Sequence, residues 1–210
     1  MKYVIAFTII IVVGLAGWWG YSTYLKPKPS PSSALTQTSA LSPAVEALLT
    51  QKLALLTDLV ANASLVKAVE TAGSTNAKLT QSQIQELDAK WQKSAATDPF
   101  ITQFLTNSMA QTLFTFQEQN PGFAELFVTD KVGLNVGQTN KTSDYYQADE
   151  DWWTGAYNAG RGRSYHGEIE YDESAKSESI ALYVPIFSTD KQVIGVIKAV
   201  LDITAINKEL

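Results

Sequence analysis

The sequence predicts an α+β domain: a five-stranded antiparallel sheet with a long N-terminal helix and further helices packed on one face, preceded by one transmembrane helix. Three observations predict it. Apolar residues recur at helical spacing from Val45 to Phe116. After Gly122 the pattern changes to short runs rich in β-branched and aromatic residues, separated by turn residues. Residues 3–25 contain no charged side chain.

That uncharged run would be about 34 Å long as a helix, at ~1.5 Å per residue, against a bilayer core of roughly 30 Å. Trp18, Trp19, Tyr21 and Tyr24 cluster at its distal end, as an interfacial belt does. Gly14-Leu15-Ala16 offers a cleavage site for the rival reading, a signal peptide. Apolar character continues past that site, which favours an uncleaved anchor over residues 1–25. Either reading places the bulk of the chain outside the cytoplasm. The expected location is the inner membrane, single-pass, with the domain on the periplasmic or extracellular side. Residues 26–42 alternate Pro27, Pro29 and Pro31 among Ser and Thr, and read as an extended linker. Residues 43–210 form the domain.

Ser42 and Pro43 open the first helix as N-cap and first-turn proline. Val45, Leu48, Leu49, Leu53, Leu56, Leu59, Val60, Val66 and Val69 continue its stripe to a stop at Gly73-Ser74. As one helix over 43–71 it would be about 43 Å long. Its stripe suits core packing, with a homodimer coiled coil as the alternative. A second helix starts at Thr80 and buries Ile84, Leu87 and Trp91. A third starts at Asp98-Pro99, buries Phe100 through Phe116 at helical spacing, and ends at Asn120-Pro121-Gly122. Strands are expected at 123–129 and 132–136 around a tight turn at Asp130-Lys131, then a polar loop over 137–144. A short helix is expected over 150–158. Three strands close the sheet at 165–171, 179–187 and 193–201, and a last helix begins at Ile203. The run Val193, Ile194, Val196, Ile197, Val200, Leu201 is too continuously apolar for an edge strand, so this strand belongs in the centre.

Composition excludes several function classes. The net charge of −5 and the scattered Lys and Arg argue against nucleic acid. The chain has no cysteine and one histidine, so a thiol nucleophile, a thiolate metal site and a histidine metal cluster are all out of reach. No phosphate loop or nucleophile elbow occurs. The chain is not expected to be an enzyme or to hold a cofactor. The stretch that does carry chemistry is residues 145–157, where Tyr145, Trp152 and Trp153 accompany Asp149, Glu150 and Asp151. Aromatic faces with a few fixed charges suit a small polar ligand.

Three pieces of this half resemble the extracellular Cache sensor domain of bacterial receptors, a PAS-like fold also called PDC. They are the hairpin Phe123-Ala-Glu-Leu-Phe-Val-Thr-Asp-Lys-Val-Gly133, the segment Tyr145 to Trp153 leading into a short helix, and Tyr183-Val-Pro-Ile-Phe187 followed by Gly195 to Ile203. The resemblance implies a ligand cup for amino acids, carboxylates or amines. In amino-acid-binding members a Tyr, an Arg and a Trp-Tyr pair hold the ligand carboxylate and acids hold its amine. Tyr145 matches the Tyr, Trp152 the Trp, and Trp153 replaces the second Tyr. Asp172 falls near one amine-binding acid and Asp202 matches the acid that ends the last strand. Glu150 stands where Arg is expected, and a carboxylate there repels a ligand carboxylate. Acids beside indole faces suit a cationic or amine ligand instead.

Each candidate also has a plainer reading. The Trp pair can be core, the acids a solvated helix start near the positive dipole end, Asp202 a helix cap, and Tyr183 can face either side of the sheet. Arg161 and Arg163 suit an exposed turn, and His166 a structural role. The expected function is a membrane-anchored sensor domain that binds a small molecule and passes its signal to a partner protein, because no kinase, cyclase or methyl-accepting segment follows Leu210 in this sequence. The alternative is a ligand-free interaction subunit of a membrane complex.

Overall fold

A computed structural model of the chain describes residues 41–172 and 177–210. The expected membrane span and nearly all of the linker lie outside the described residues, as does most of the loop between the third and fourth strands. Among the described residues, no helix is long and apolar enough to cross a membrane. The unit Ala40–Leu210 is compact.

Its elements in order are α1 (Pro43–Val60), α2 (Ala63–Asn76), α3 (Gln81–Lys93), α4 (Pro99–Thr106), α5 (Ser108–Gln119), β1 (Phe123–Asp130), β2 (Asn135–Gln138), α6 (Asp151–Tyr157), β3 (Tyr165–Asp172), β4 (Ser177–Phe187), β5 (Val193–Asp202) and α7 (Ile203–Glu209). The five strands form one sheet in the order β2-β1-β5-β4-β3, antiparallel throughout. β5 is central, as its apolar run requires.

The long N-terminal helix is two helices. Asn62 breaks it: its Oδ1 accepts from the backbone N–H of Ser64 and Leu65, which starts α2 afresh. The expected stop at Gly73 is overridden, and α2 runs on to Asn76. The third expected helix is likewise two. Asn107 caps α5 through Ala110 N–H and donates Nδ2–H to the Val136 carbonyl, 2.8 Å away, which pins the junction to β2. The β1–β2 turn is wider than expected. Asp130 Oδ1 accepts from the N–H of Val132, Gly133 and Leu134, so the returning strand starts only at Asn135. Gly133 takes φ +90° in this turn, a conformation that L side chains rarely adopt.

Helices cover both faces of the sheet, not one. Leu126, Val128, Ile180, Leu182, Val184, Ile197, Ala199 and Leu201 pack with Leu49, Leu56, Val69, Leu113 and Ile206 of α1, α2, α5 and α7. Tyr183 and Val196, on the other side of the pleat, pack with Trp153 and Ala156 of α6. A third cluster joins Ile84, Trp91, Ile101, Leu134 and Tyr145.

Candidate functional site

The strand registers align one residue from every strand in a single row. Gln138 stands opposite Phe127, Phe127 opposite Lys198, Lys198 opposite Tyr183, and Tyr183 opposite Tyr165. Directly opposed residues share a face, so this row lies on the α6 side of the sheet. Its middle member is a lysine on the most buried strand.

α6 lies over the row. Glu150 is its N-cap, without a side-chain capping bond, and Asn158 ends it in the left-handed conformation. Trp152 and Trp153 diverge by about 100° around the helix, which separates their roles. Trp153 is 6% exposed. Its Nε1–H donates to Thr129 Oγ1 at 2.8 Å, and its ring stacks on Tyr157 at 4.6 Å. It anchors α6 to β1. Trp152 stacks on Tyr183, with centroids 5.3 Å apart and planes 14° apart, and meets Phe127 edge-on at 5.7 Å. The Tyr165 hydroxyl donates to the Trp152 carbonyl at 2.8 Å and so ties β3 to α6. A Cβ on Gly155 would sit 2.7 Å from that hydroxyl, so a larger residue there would push the end of the Tyr165 ring aside.

Lys198 Nζ lies 5.2 Å from the Trp152 ring centroid and 5.8 Å from that of Phe127. Among the described residues it has no salt bridge and no hydrogen bond, so these π faces are its main partners. Its charge reaches Glu150. Burial and the neighbouring acids Asp149 and Asp144 raise the Glu150 pKa, and Lys198 opposes the rise. Beside Lys198 and Tyr183 is a cavity of about 60 Å³, also bordered by Gly167, Glu170, Ser179 and Ala181. That is room for about two waters, at ~30 Å³ each, where ligand pockets usually offer roughly 300–1,000 Å³. At the β2 end of the row, Gln138 is fully buried, and among the described residues neither of its side-chain amide atoms has a hydrogen-bond partner.

The structure thus brings Trp152, Trp153 and Tyr183 together, with Glu150 within the field of Lys198. Tyr145 sits elsewhere: its ring stacks on Trp91 at 5.2 Å and meets Phe100 and Phe104, because its backbone N–H is held by Asp88 Oδ1 of α3. Asp202 caps α7, accepting from Thr204 and Ala205 N–H. Asp172 ends β3 opposite Ser177, and its side chain lies outside the described atoms. His166 bridges to Glu46 of α1 at 3.1 Å, and Arg161 bonds Asn158. Lys198, Phe127 and Gln138 share the row with Tyr183 and were not singled out from the sequence. The available signal was a lysine inside the most apolar strand, where a charged residue is uncommon. Among the described residues, no group of three or more His, Asp or Glu is placed to hold a metal ion.

The family described as methyl-accepting chemotaxis protein-like, first PDC sensor domain, matches residues 78–208. No curated protein matches the chain. Similar solved structures include the ligand-binding domain of the Campylobacter jejuni chemoreceptor Tlp3 in complex with L-valine, at 17% identity and TM-score 0.39, covering 80% of this chain and 67% of that one. An extracellular ligand binding receptor from Desulfohalobium retbaense is 12% identical with TM-score 0.40, over 67% of this chain and 25% of its own. The Escherichia coli DcuS sensor domain is 16% identical with TM-score 0.36, over 61% of this chain and 92% of its own. The chain therefore spans a quarter of the Desulfohalobium receptor and about two thirds of the Tlp3 domain.

Proposed function

The chain belongs to the family of methyl-accepting chemotaxis protein-like first PDC sensor domains, and on that premise we propose that it is a membrane-anchored, extracytoplasmic sensor whose cup between α6 and the sheet binds a small molecule. Residues 1–25 would be the anchor, and a partner protein or a second copy would carry the signal onward. The observation that carries the reading is Lys198: a cation in the centre of the sheet, held by aromatic faces and no counter-ion among the described residues. Lys198 is half-buried, so its ammonium stays within reach of the cavity beside it, and an anionic ligand group would supply the missing counter-ion. The same geometry revises the expected cationic ligand. The Trp152 face already carries the protein's own ammonium, which repels a second cation from it. Glu150 and Glu170 near the cup would suit an amine on the same ligand, so a small zwitterion or carboxylate fits best.

The test is a thermal-shift and calorimetric screen of amino acids, amines and organic acids. A true ligand at a hundred times its Kd stabilises by about 2.7 kcal/mol, which is ~5–10 °C in a domain of this size. Lys198→Met should abolish the response to an anionic ligand while leaving the fold intact, because the Met stem fills the same slot between Phe127 and Trp152. A hit that survives Lys198→Met would sink the assignment of Lys198.

The small cavity favours a second reading, a ligand-free interaction subunit. Silence across the whole screen, with Trp152→Ala leaving partner assembly intact, would support it.

A further inference from the structure

A groove of about 580 Å³ runs between α2 and the Phe104, Val136 and Tyr145 side of the fold. None of its lining residues borders the cavity beside Lys198, so it stands independently of the cup. We propose that this groove binds an elongated apolar molecule ending in a carboxylate, with the carboxylate on Lys67 and the apolar body along Ala68, Ala72, Phe104 and Val136.

Charge points to the anion. Among the described residues Lys67 is the one charged residue lining the groove, although the chain as a whole carries −5. The α2 wall is more apolar than its composition suggests, while across from it Asn135 Oδ1 is buried without a hydrogen-bond partner among the described residues. The Thr71 and Thr75 hydroxyls are turned back onto the carbonyls of Lys67 and Thr71, and Asn76 Nδ2–H is taken by Asp130. Length follows from the helix: from Lys67 to Asn76 α2 rises about 13 Å, which suits a chain and not a compact head. Asp130 bonds Asn76 at the far end and raises the Tyr145 pKa, second to burial, which puts Tyr145 at that end too. Tyr145 is 5% exposed, and its hydroxyl joins no hydrogen bond among the described residues. Its proton stays on, so it offers an unused donor at the groove's end, able to meet an acceptor atom of the guest. Asp130 does not compete for the carboxylate's place. Its oxygens are taken up by three backbone N–H groups and Asn76, and it lies at the opposite end from Lys67.

The experiment is photolabelling of the full chain in lipid nanodiscs with decanoate bearing a terminal diazirine, followed by peptide mapping. Label is expected on the α2 and Phe104 segments, competed by plain decanoate and reduced tenfold or more by Lys67→Glu. Lys67 is exposed, so that reversal leaves the core untouched. The matching decylamine probe should fail to label there. Labelling that Lys67→Glu leaves unchanged, or that the amine probe reproduces, would reduce the groove to a non-specific apolar surface and overturn the proposal. Label on the Trp152 segment would assign the ligand to the cup, and label joining two chains across α2 would assign the groove to a second copy. Either result also overturns it.

Discussion

Asp130 is buried at the end of β1, and its acceptor bonds shape the turn into β2. Burial raises its pKa above the ordinary carboxylate range, while the bonds from Asn76, Leu134, Val132 and Gly133 work the other way. The folded chain therefore holds the Asp130 proton more tightly than the unfolded chain does. The stabilisation from that proton is fully present below the ordinary aspartate value of about 3.9. It is lost as pH rises through the raised folded value, and each tenfold gain in proton affinity on folding is worth about 1.4 kcal/mol. Asp130→Asn keeps an oxygen for the three backbone N–H groups and cannot ionise. The stability of Asp130→Asn relative to the parent should grow from acid pH toward neutrality in urea unfolding series. A difference that stays flat with pH would mean that the four hydrogen bonds cancel the burial. Asp130→Ala, which strips the turn of its acceptor, should be less stable than the parent at every pH.

Asn62 decides the shape of the N-terminal helices. The leucine stripe runs through this position without interruption, so periodicity alone describes one helix; the break comes from a side chain that offers its oxygen to two backbone N–H groups. Asn62→Ala should cost about 1 kcal/mol, the usual worth of an N-cap, read as a lower urea midpoint with unchanged slope. A loss below a few tenths would show that packing of Leu65 and Val69, and not the cap, sets the break. The same contrast explains what was legible elsewhere. The central strand declared itself because Val193 to Leu201 is buried on both faces, and the hairpin because its apolar runs flank Asp130-Lys131. Trp152 and Tyr183 could be singled out as aromatics, but their stacking depends on register, which no local pattern encodes. Lys198 was hidden for the same reason, since it reads as an interruption until Phe127 and Tyr183 are known to stand beside it. Tyr145 stands apart from Trp152 because its position follows from a long-range bond to Asp88, far away in sequence.

For the whole molecule, β5 is the element through which a cup and an output would communicate. It carries Lys198 at its middle and passes without a linker into α7, whose N-cap is Asp202. α7 is then fastened to α1 at one polar point. Lys52 Nζ lies 2.8 Å from both carboxylate oxygens of Glu209, 3.4 Å from the Pro121 carbonyl, and over the Phe123 ring. Lys52 is nearly buried, so this contact is less screened than a surface ion pair. A cup of about 60 Å³ must open to admit a ligand of several atoms, and binding then selects the open form by its differential affinity. Because β5 is paired on both sides, displacement of Lys198 is expected to move the strand with its neighbours and load the Lys52–Glu209 contact. Lys52→Met should therefore uncouple the ends: ligand affinity at the cup stays within about twofold, while the ligand-induced change in amide exchange of α7 disappears. Measured by hydrogen exchange with and without ligand, an α7 response that persists in Lys52→Met would place the coupling in the apolar packing of Ile206, which β5 and α1 also share.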